Sequence, residues 1–119
     1  MLVVLDPDPD VHRVNMVRRL DRMLDSGWLA EVEKLREAGY DSRYKAMRSL
    51  GYKQLLGVVE GASTLARARE DILVATRQYA RRQRTYLRTQ LPAARTLTVR
   101  DPQDCPWGQI EAFLVDATP

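Results

Sequence analysis

The stretch ATRQYARRQRTYLR, residues 75–88, places the strongest constraint on how this chain folds. Read as a helix, it carries arginines at i, i+4, i+7 and i+11, namely Arg77, Arg81, Arg84 and Arg88. A different and mostly apolar face carries Ile72, Thr76, Tyr79, Ala80, Gln83, Tyr86 and Leu87. No acidic residue occurs from 77 to 100, so nothing local neutralises this arginine stripe. A helix that packs on one side and presents positive charge on another fits a polyanion such as RNA.

The arginine stripe has a second interpretation, the solvated face of an ordinary surface helix. Such a helix commonly pairs its arginines with glutamates at i, i+4, and no glutamate is interleaved here. Arginine, unlike lysine, also favours bidentate phosphate contacts and stacking on bases. Both observations favour a polyanion-binding surface over a solvated helix face. Tyr86 fits either a stacking platform for a base or a tyrosine of the core.

Composition limits the classes of protein to which the chain can belong. Its 119 residues, 45% hydrophobic and 29% charged, fit one globular domain but not two. The net charge is only +3, but acids gather at 6–10, 31–37 and 70–71, whereas arginine dominates 77–100. Cys105 and His12 are the only residues of their types, which excludes an internal disulfide and a histidine-pair metal site. Without a long apolar run or a basic leader, we expect a cytoplasmic protein.

The apolar pattern predicts a mostly helical fold with a short strand near each end. The all-apolar run Leu2–Leu5 predicts a strand buried on both faces of a parallel sheet, with its neighbouring strands missing. Thr96–Val99 predicts the second strand. Asp8 and Pro9 fit the N-cap and first position of a helix that continues to Ser26. Further helices are expected over about 28–38, 42–50, 52–59 and 109–115, and a long helix to about Gln90 is expected after a cap at Ser63 or Thr64.

A second basic cluster, Arg48-Ser49-Leu50-Gly51-Tyr52-Lys53, surrounds a glycine that breaks a helix. Gly51 would let the backbone come close to a ligand, while Arg48 and Lys53 supply positive charge. The other interpretation is a plain turn with an exposed tyrosine.

Arg19 is a candidate for contact with a diphosphate, and a structural ion pair with Asp21 or Asp25 is the alternative. The sequence contains no phosphate loop of the G-x-x-x-x-G-K-[ST] type. From the residues alone, the chain is an RNA-facing helical module without a complete active site.

Four blocks of the sequence carry a family resemblance: VVLD, RRLDRMLDSGWLAEVEKL, AMRSLGYKQLLGVVEG and ATRQYARRQRTYLR. Over roughly residues 3–99, the chain resembles the C-terminal portion of the tRNA dimethylallyltransferase (tRNA isopentenyltransferase) family, and the last two blocks are the most specific. The resemblance implies a single C-terminal segment, residues 1–119, forming the helical part of a P-loop α/β transferase. The implied reaction transfers a dimethylallyl group from dimethylallyl diphosphate to N6 of the adenine next to the tRNA anticodon.

The resemblance also implies roles for individual residues. Arg19 matches a catalytic arginine near the diphosphate, and Arg77 matches an arginine on the diphosphate side or in the packing. Two segments match tRNA contacts, namely Arg48, Ser49, Leu50, Gly51, Tyr52 and Lys53, and Arg81, Arg82, Gln83, Arg84, Thr85, Tyr86, Leu87 and Arg88. Asn15 and Tyr86 depart from the family, which usually has arginine and tryptophan there.

The implied partners are the tRNA anticodon arm and, through an N-terminal half, dimethylallyl diphosphate, with neither membrane nor DNA. Mg²⁺ is the implied cofactor, with its ligands outside this chain. Because no part of this sequence matches the family's P-loop domain or anticodon-arm insertion, we expect this chain to bind tRNA without catalysing alone. The alternatives are a non-catalytic helical RNA-binding module and a fragment of an adenylate isopentenyltransferase. The two tRNA-type blocks favour the tRNA enzyme.

Overall fold

A computed structural model of the chain describes residues 1–93 and 96–116. The mostly helical prediction and both predicted strands are confirmed. The elements in chain order are β1 (Leu2–Leu5), α1 (Pro9–Asp25), α2 (Trp28–Glu37), a 3₁₀ turn (Ala46–Arg48), α3 (Tyr52–Val59), α4 (Leu65–Gln90), β2 (Thr96–Val99), a second 3₁₀ turn (Pro102–Asp104) and α5 (Trp107–Asp116). Among these described elements, no helix is long and apolar enough to cross a membrane.

Two helices, α1 and α4, begin at N-caps that the sequence predicts. The Asp8 Oδ1 atom accepts the backbone N–H groups of Asp10 (2.9 Å) and Val11 (3.3 Å), so Asp8 caps α1. The Thr64 hydroxyl accepts the backbone N–H of Arg67 at 3.2 Å and caps α4. Gly27, with φ of 97°, separates α1 from α2, as expected of a glycine after a helix.

The helix predicted over 42–50 is wrong, because only the 3₁₀ turn Ala46–Arg48 forms there. The Asp41 carboxylate accepts the backbone N–H of Arg43 at 3.0 Å and its guanidinium at 2.9 Å. Such a local side-chain bond offers the backbone an alternative to helix. Ser49 is extended, with ψ of 159°, and ends the turn before Gly51.

The chain separates into two compact units. Unit 1 comprises Met1–His12 and Arg81–Pro119, and unit 2 comprises Arg13–Ala80. Unit 2 contains an apolar core, because α1, α2, α3 and the first part of α4 each turn an apolar stripe inward. Its buried residues are Leu20, Trp28, Val32, Met47, Leu55, Leu56, Ala68, Ile72 and Leu73. The assignment of residues 1–119 to a single C-terminal segment stays a prediction.

Unit 1 is built on a two-stranded parallel sheet in which Leu2 pairs with Thr96 and Leu5 with Val99. β1 is therefore part of a parallel sheet, as predicted, but the expectation that its neighbouring strands are missing is wrong on one side, where β2 pairs with it. The predicted burial of β1 on both faces is wrong, because Leu2, Val3 and Leu5 are 38%, 42% and 52% exposed. The side chains of a strand point alternately to the two faces of its sheet, so these exposures mean that neither face of β1 is fully covered by the described residues.

Candidate nucleic-acid interface

The last turns of α4 form one wall of a cleft in unit 1, with a volume of about 620 Å³. Arg81, Arg84, Thr85 and Arg88 all line it, because positions three, four and seven apart lie on one face of a helix. The other lining residues are Val4, Asp6, Leu87, Leu91, Ala93, Thr96 and Thr98. The cleft therefore brings three of the predicted tRNA-contacting arginines onto one concave surface, and among the described lining residues Asp6 is the one acid.

Arg84 differs from the other two arginines of the cleft. Its Nε atom lies 3.0 Å from Oδ1 of Asp6, and its Nη2 atom lies 3.4 Å from Nδ1 of His12. No acid close to the stripe along the chain neutralises it, as predicted, but the fold brings the distant Asp6 to Arg84 from the end of β1. Within residues 1–93 and 96–116, neither the Arg81 nor the Arg88 side chain has a hydrogen bond or an ion pair.

The rest of the predicted segment lies around the same helix. Tyr86 is 62% exposed, so its interpretation as a core tyrosine is wrong and a stacking role stays a prediction. Arg82 and Gln83 are exposed, and Leu87 is half-buried in the cleft lining. The predicted apolar face holds at Ile72, which is buried, but fails at Tyr79, which is 53% exposed.

The predicted turn at 48–53 lies in unit 2 and is built around Gly51. Gly51 is buried with φ of 94°, and a Cβ placed there would collide with the Trp28 ring. The backbone does allow a close approach at Gly51, but the group that approaches is the Trp28 indole rather than a ligand. The Gly51 N–H donates to Oε1 of Gln54 at 2.8 Å, which caps α3.

Tyr52 is also held by unit 2. Its hydroxyl donates to Oε1 of Glu31 at 2.7 Å, and its ring meets the Trp28 ring edge-to-face with centroids 5.6 Å apart. The hydrogen bond to Glu31, and then burial, raise the pKa of Tyr52 above its ordinary value. The interpretation as a plain turn with an exposed tyrosine is therefore wrong, because Tyr52 is half-buried.

Not all of the six residues predicted to contact tRNA at this turn are available to a partner. Ser49 donates its hydroxyl to the carbonyl of Ala46 at 2.6 Å, which ties it to the preceding 3₁₀ turn. Arg48, Leu50 and Lys53 are exposed. The positive charge available to a partner at this turn comes from Arg48 and Lys53.

Arg19 and Arg77 are both exposed and both belong to unit 2. Among the described residues neither side chain makes a hydrogen bond or ion pair, so the predicted ion pair of Arg19 with Asp21 or Asp25 is wrong. Asp21 instead binds Arg69 through two contacts, Nε–Oδ1 at 2.7 Å and Nη2–Oδ2 at 2.9 Å. The hydrogen bond from Arg69 holds the pKa of Asp21 below its ordinary value.

The described residues do not fit a metal site. Across residues 1–93 and 96–116, no group of three or more His, Cys, Asp or Glu side chains lies close enough to hold an ion. Mg²⁺ would require several oxygen ligands in a near-octahedral arrangement. No chemical step is therefore assigned to a metal here.

Comparison with known proteins identifies the family. Residues 1–90 match the family model described as IPP transferase. The chain belongs to the IPP transferase family. A tRNA dimethylallyltransferase of Kocuria rhizophila is 42% identical over 95 residues, which cover 80% of this chain and 30% of that protein. The corresponding protein of Acetivibrio thermocellus is 42% identical over 86 residues, covering 72% of this chain and 27% of its own.

Solved structures of this IPP transferase family share the fold. The tRNA isopentenylpyrophosphate transferase of Bacillus halodurans matches with a TM-score of 0.81 and 25% identity, over 98% of this chain and 38% of that one. The Staphylococcus epidermidis protein matches with a TM-score of 0.79 and 23% identity, over 97% of this chain and 37% of that one. The chain thus spans about a third of the length of the relatives it matches. The predicted family is confirmed.

Proposed function

We propose that the chain supplies the tRNA-contacting part of a tRNA dimethylallyltransferase. In this proposal the whole enzyme transfers a dimethylallyl group from dimethylallyl diphosphate to N6 of the adenine next to the anticodon, in the cytoplasm. Membership of the IPP transferase family and the names of its relatives support this reaction class. The observation that carries the RNA-binding part is the cleft of unit 1, lined by Arg81, Arg84 and Arg88.

The residues of this chain would act mainly by binding. Exposed guanidinium groups bind phosphate oxygens through charge-assisted and often bidentate hydrogen bonds, which suits Arg81 and Arg88. Arg48 and Lys53 would provide a second set of phosphate contacts at the turn of unit 2. Tyr86 offers an exposed ring on which an unpaired base can stack.

Arg19 and Arg77 are proposed for the diphosphate side of the reaction. In prenyl transfer the bond between the prenyl carbon and the diphosphate oxygen breaks, the bond from N6 to that carbon forms, and N6 gives its proton to a general base, a role not proposed for residues of this chain. Negative charge grows on the leaving diphosphate, and a fixed guanidinium nearby lowers the energy of that state. Both side chains are exposed and unpaired among the described residues, which supports their availability for such a contact.

The proposal predicts RNA binding by the 119-residue chain without prenyl transfer. A fluorescent tRNA anticodon stem-loop is titrated with the chain at several salt concentrations, and transfer is assayed with dimethylallyl diphosphate and Mg²⁺. We expect affinity to fall steeply with salt, because phosphate contacts release counterions. Absence of binding at low salt would contradict the RNA-binding proposal, and turnover by this chain alone would contradict its role as a binding part.

Complementation separates the enzyme from a non-catalytic RNA-binding module. The chain is mixed with the remaining two thirds of the Kocuria rhizophila relative, prepared as a separate polypeptide. Transfer to the stem-loop in the mixture, and in neither part alone, supports the proposed function. RNA binding by the chain without any transfer in the mixture favours the non-catalytic module. Transfer to adenosine monophosphate in place of RNA favours the adenylate isopentenyltransferase alternative.

A further inference from the structure

The cleft of unit 1 contains two kinds of arginine. We propose that Arg81 and Arg88 are the phosphate ligands of this cleft, and that Arg84 is a positioning residue whose charge Asp6 has already balanced. The inference rests on the proposed RNA binding and refines it, because it assigns different roles to arginines of one stripe. Its ligand is the phosphodiester backbone of a single RNA strand.

The first step of the argument is charge balance. Asp6 lies 3.0 Å from Arg84, and both side chains are partly exposed, at 43% and 37%. An incoming phosphate at Arg84 would meet the carboxylate of Asp6 at close range and would have to displace it. Arg81 and Arg88 carry no such carboxylate among the described residues, so their charge is available to an anion.

The second step is spacing. Arg81 and Arg88 are seven positions apart on α4, which at about 1.5 Å per residue separates their Cα atoms by about 10 Å along the helix axis. Two guanidinium groups on long side chains at this separation can each reach a different phosphate of one strand. The spacing therefore permits contact with two phosphates of a strand, and competition by pyrophosphate distinguishes such a strand from a single free diphosphate.

The third step is the place of Arg84 within the cleft. It stands between Arg81 and Arg88 on the same helical face, and its guanidinium is directed to Asp6 and His12. This pairing links the end of β1 to α4 inside unit 1, next to the cleft wall formed by the sheet. The ion pair of Arg84 with Asp6 thus fixes α4, which carries Arg81 and Arg88, against the end of β1. The pair itself has little net charge.

Salt dependence distinguishes the two roles. The slope of log K against log salt is measured for stem-loop binding by the full chain and by Arg81→Gln, Arg88→Gln and Arg84→Gln. The slope is negative, and each lost phosphate contact reduces its magnitude by about 0.7–0.9. We expect that reduction for Arg81→Gln and for Arg88→Gln, and an unchanged slope for Arg84→Gln. Arg67→Gln is the matched control, because Arg67 lies on α4, is paired with Asp71 and is outside the cleft.

Asp6 provides the decisive variant. Asp6→Asn releases the charge of Arg84 for a phosphate contact, so we expect the magnitude of the slope to increase. The double variant Asp6→Asn with Arg84→Gln should return the magnitude to that of the unchanged chain. A merely structural role of the pair would not produce this reversal. Thermal unfolding of each variant identifies any that fails to fold, and Arg84→Lys then replaces Arg84→Gln, again with an unchanged slope expected.

Several results would overturn the inference. An equal loss of slope in Arg84→Gln and Arg81→Gln would make Arg84 a phosphate ligand. Unchanged slopes in Arg81→Gln and Arg88→Gln, with binding intact, would remove the cleft from the interface while leaving the proposed function in place. Displacement of the stem-loop by pyrophosphate that requires both Arg81 and Arg88 would show a free diphosphate to be the ligand. A chain that binds no RNA at low salt would refute the proposed function and this inference together.

Discussion

The two units use their side chains in opposite ways. In unit 2 the predicted tRNA-contacting turn is packed from behind, because Trp28 covers Gly51 and Glu31 holds the hydroxyl of Tyr52. In unit 1 the predicted segment is a helical face over an open cleft, where Arg81 and Arg88 have no partner among the described residues. A similar cluster of basic and aromatic residues is therefore mainly structural in one unit and mainly exposed charge in the other.

This difference separates stability from binding. Substitutions behind the turn of unit 2 should change the free energy of unfolding, with RNA affinity following only through loss of the fold. Substitutions of Arg81 and Arg88 should change the salt dependence of RNA binding and leave the free energy of unfolding nearly unchanged, since exposed charges contribute little to stability.

The largest effect is expected for Gly51→Ala. The φ of 94° strains any residue with a Cβ, and that Cβ would meet the Trp28 ring. We expect a loss of about 2–5 kcal/mol in the free energy of unfolding, measured by urea denaturation. Gly57→Ala is the matched control on α3, where a Cβ would meet only the Cβ of Ser63 at 3.9 Å. A stable Gly51→Ala protein would refute the structural account of the turn.

A smaller effect is expected for Tyr52→Phe. The change removes the hydrogen bond to Glu31 but keeps the ring against Trp28, so the loss should be about 1 kcal/mol. Because the pKa of Tyr52 is raised in the folded state, its contribution is full below the unfolded pKa of about 10 and is lost as pH rises through the folded pKa. The stability difference between the two proteins should therefore shrink above about pH 10. A constant difference from neutral to alkaline pH would contradict this assignment.

The smallest effect is expected for Asp21→Asn, which breaks the pair with Arg69 between α1 and α4. The pKa of Asp21 is lowered in the folded state, so its contribution is present above the unfolded pKa of about 4 and is lost as pH falls through the folded pKa. The unchanged chain should be slightly more stable than Asp21→Asn at pH 7, and the two should converge in acid. Thermal unfolding between pH 7 and pH 2.5 tests this, and a difference that persists in acid would point to packing instead of charge.

The sequence predicted most of the local structure, because the signals for it are local. The Asp8 cap, the Thr64 cap and β2 lie where side-chain chemistry and apolar spacing placed them. The segment at 42–50 failed because a short-range bond of Asp41 to Arg43 competes with helix, and apolar periodicity does not report such a bond.

The function of individual site residues was less accessible from the sequence. Arginine spacing on α4 correctly put Arg81, Arg84 and Arg88 on one face, since helical geometry depends only on position. The aspartate that neutralises Arg84 was missed, although Asp6 follows β1 directly. Its distance from Arg84 along the chain is large, and no periodic signal connects the two.

Helix faces and caps thus follow from short-range interactions within each chain segment, and the family resemblance follows from four sequence blocks read in order. The pairing of Arg84 with Asp6, the packing of Trp28 against Gly51 and the bond of Asp21 to Arg69 follow from long-range packing. Such contacts depend on where distant segments meet, and that is set by burial of the core and pairing of strands. The arginine stripe is therefore a property of the helix, whereas the number of its charges that remain available to RNA is a property of the fold.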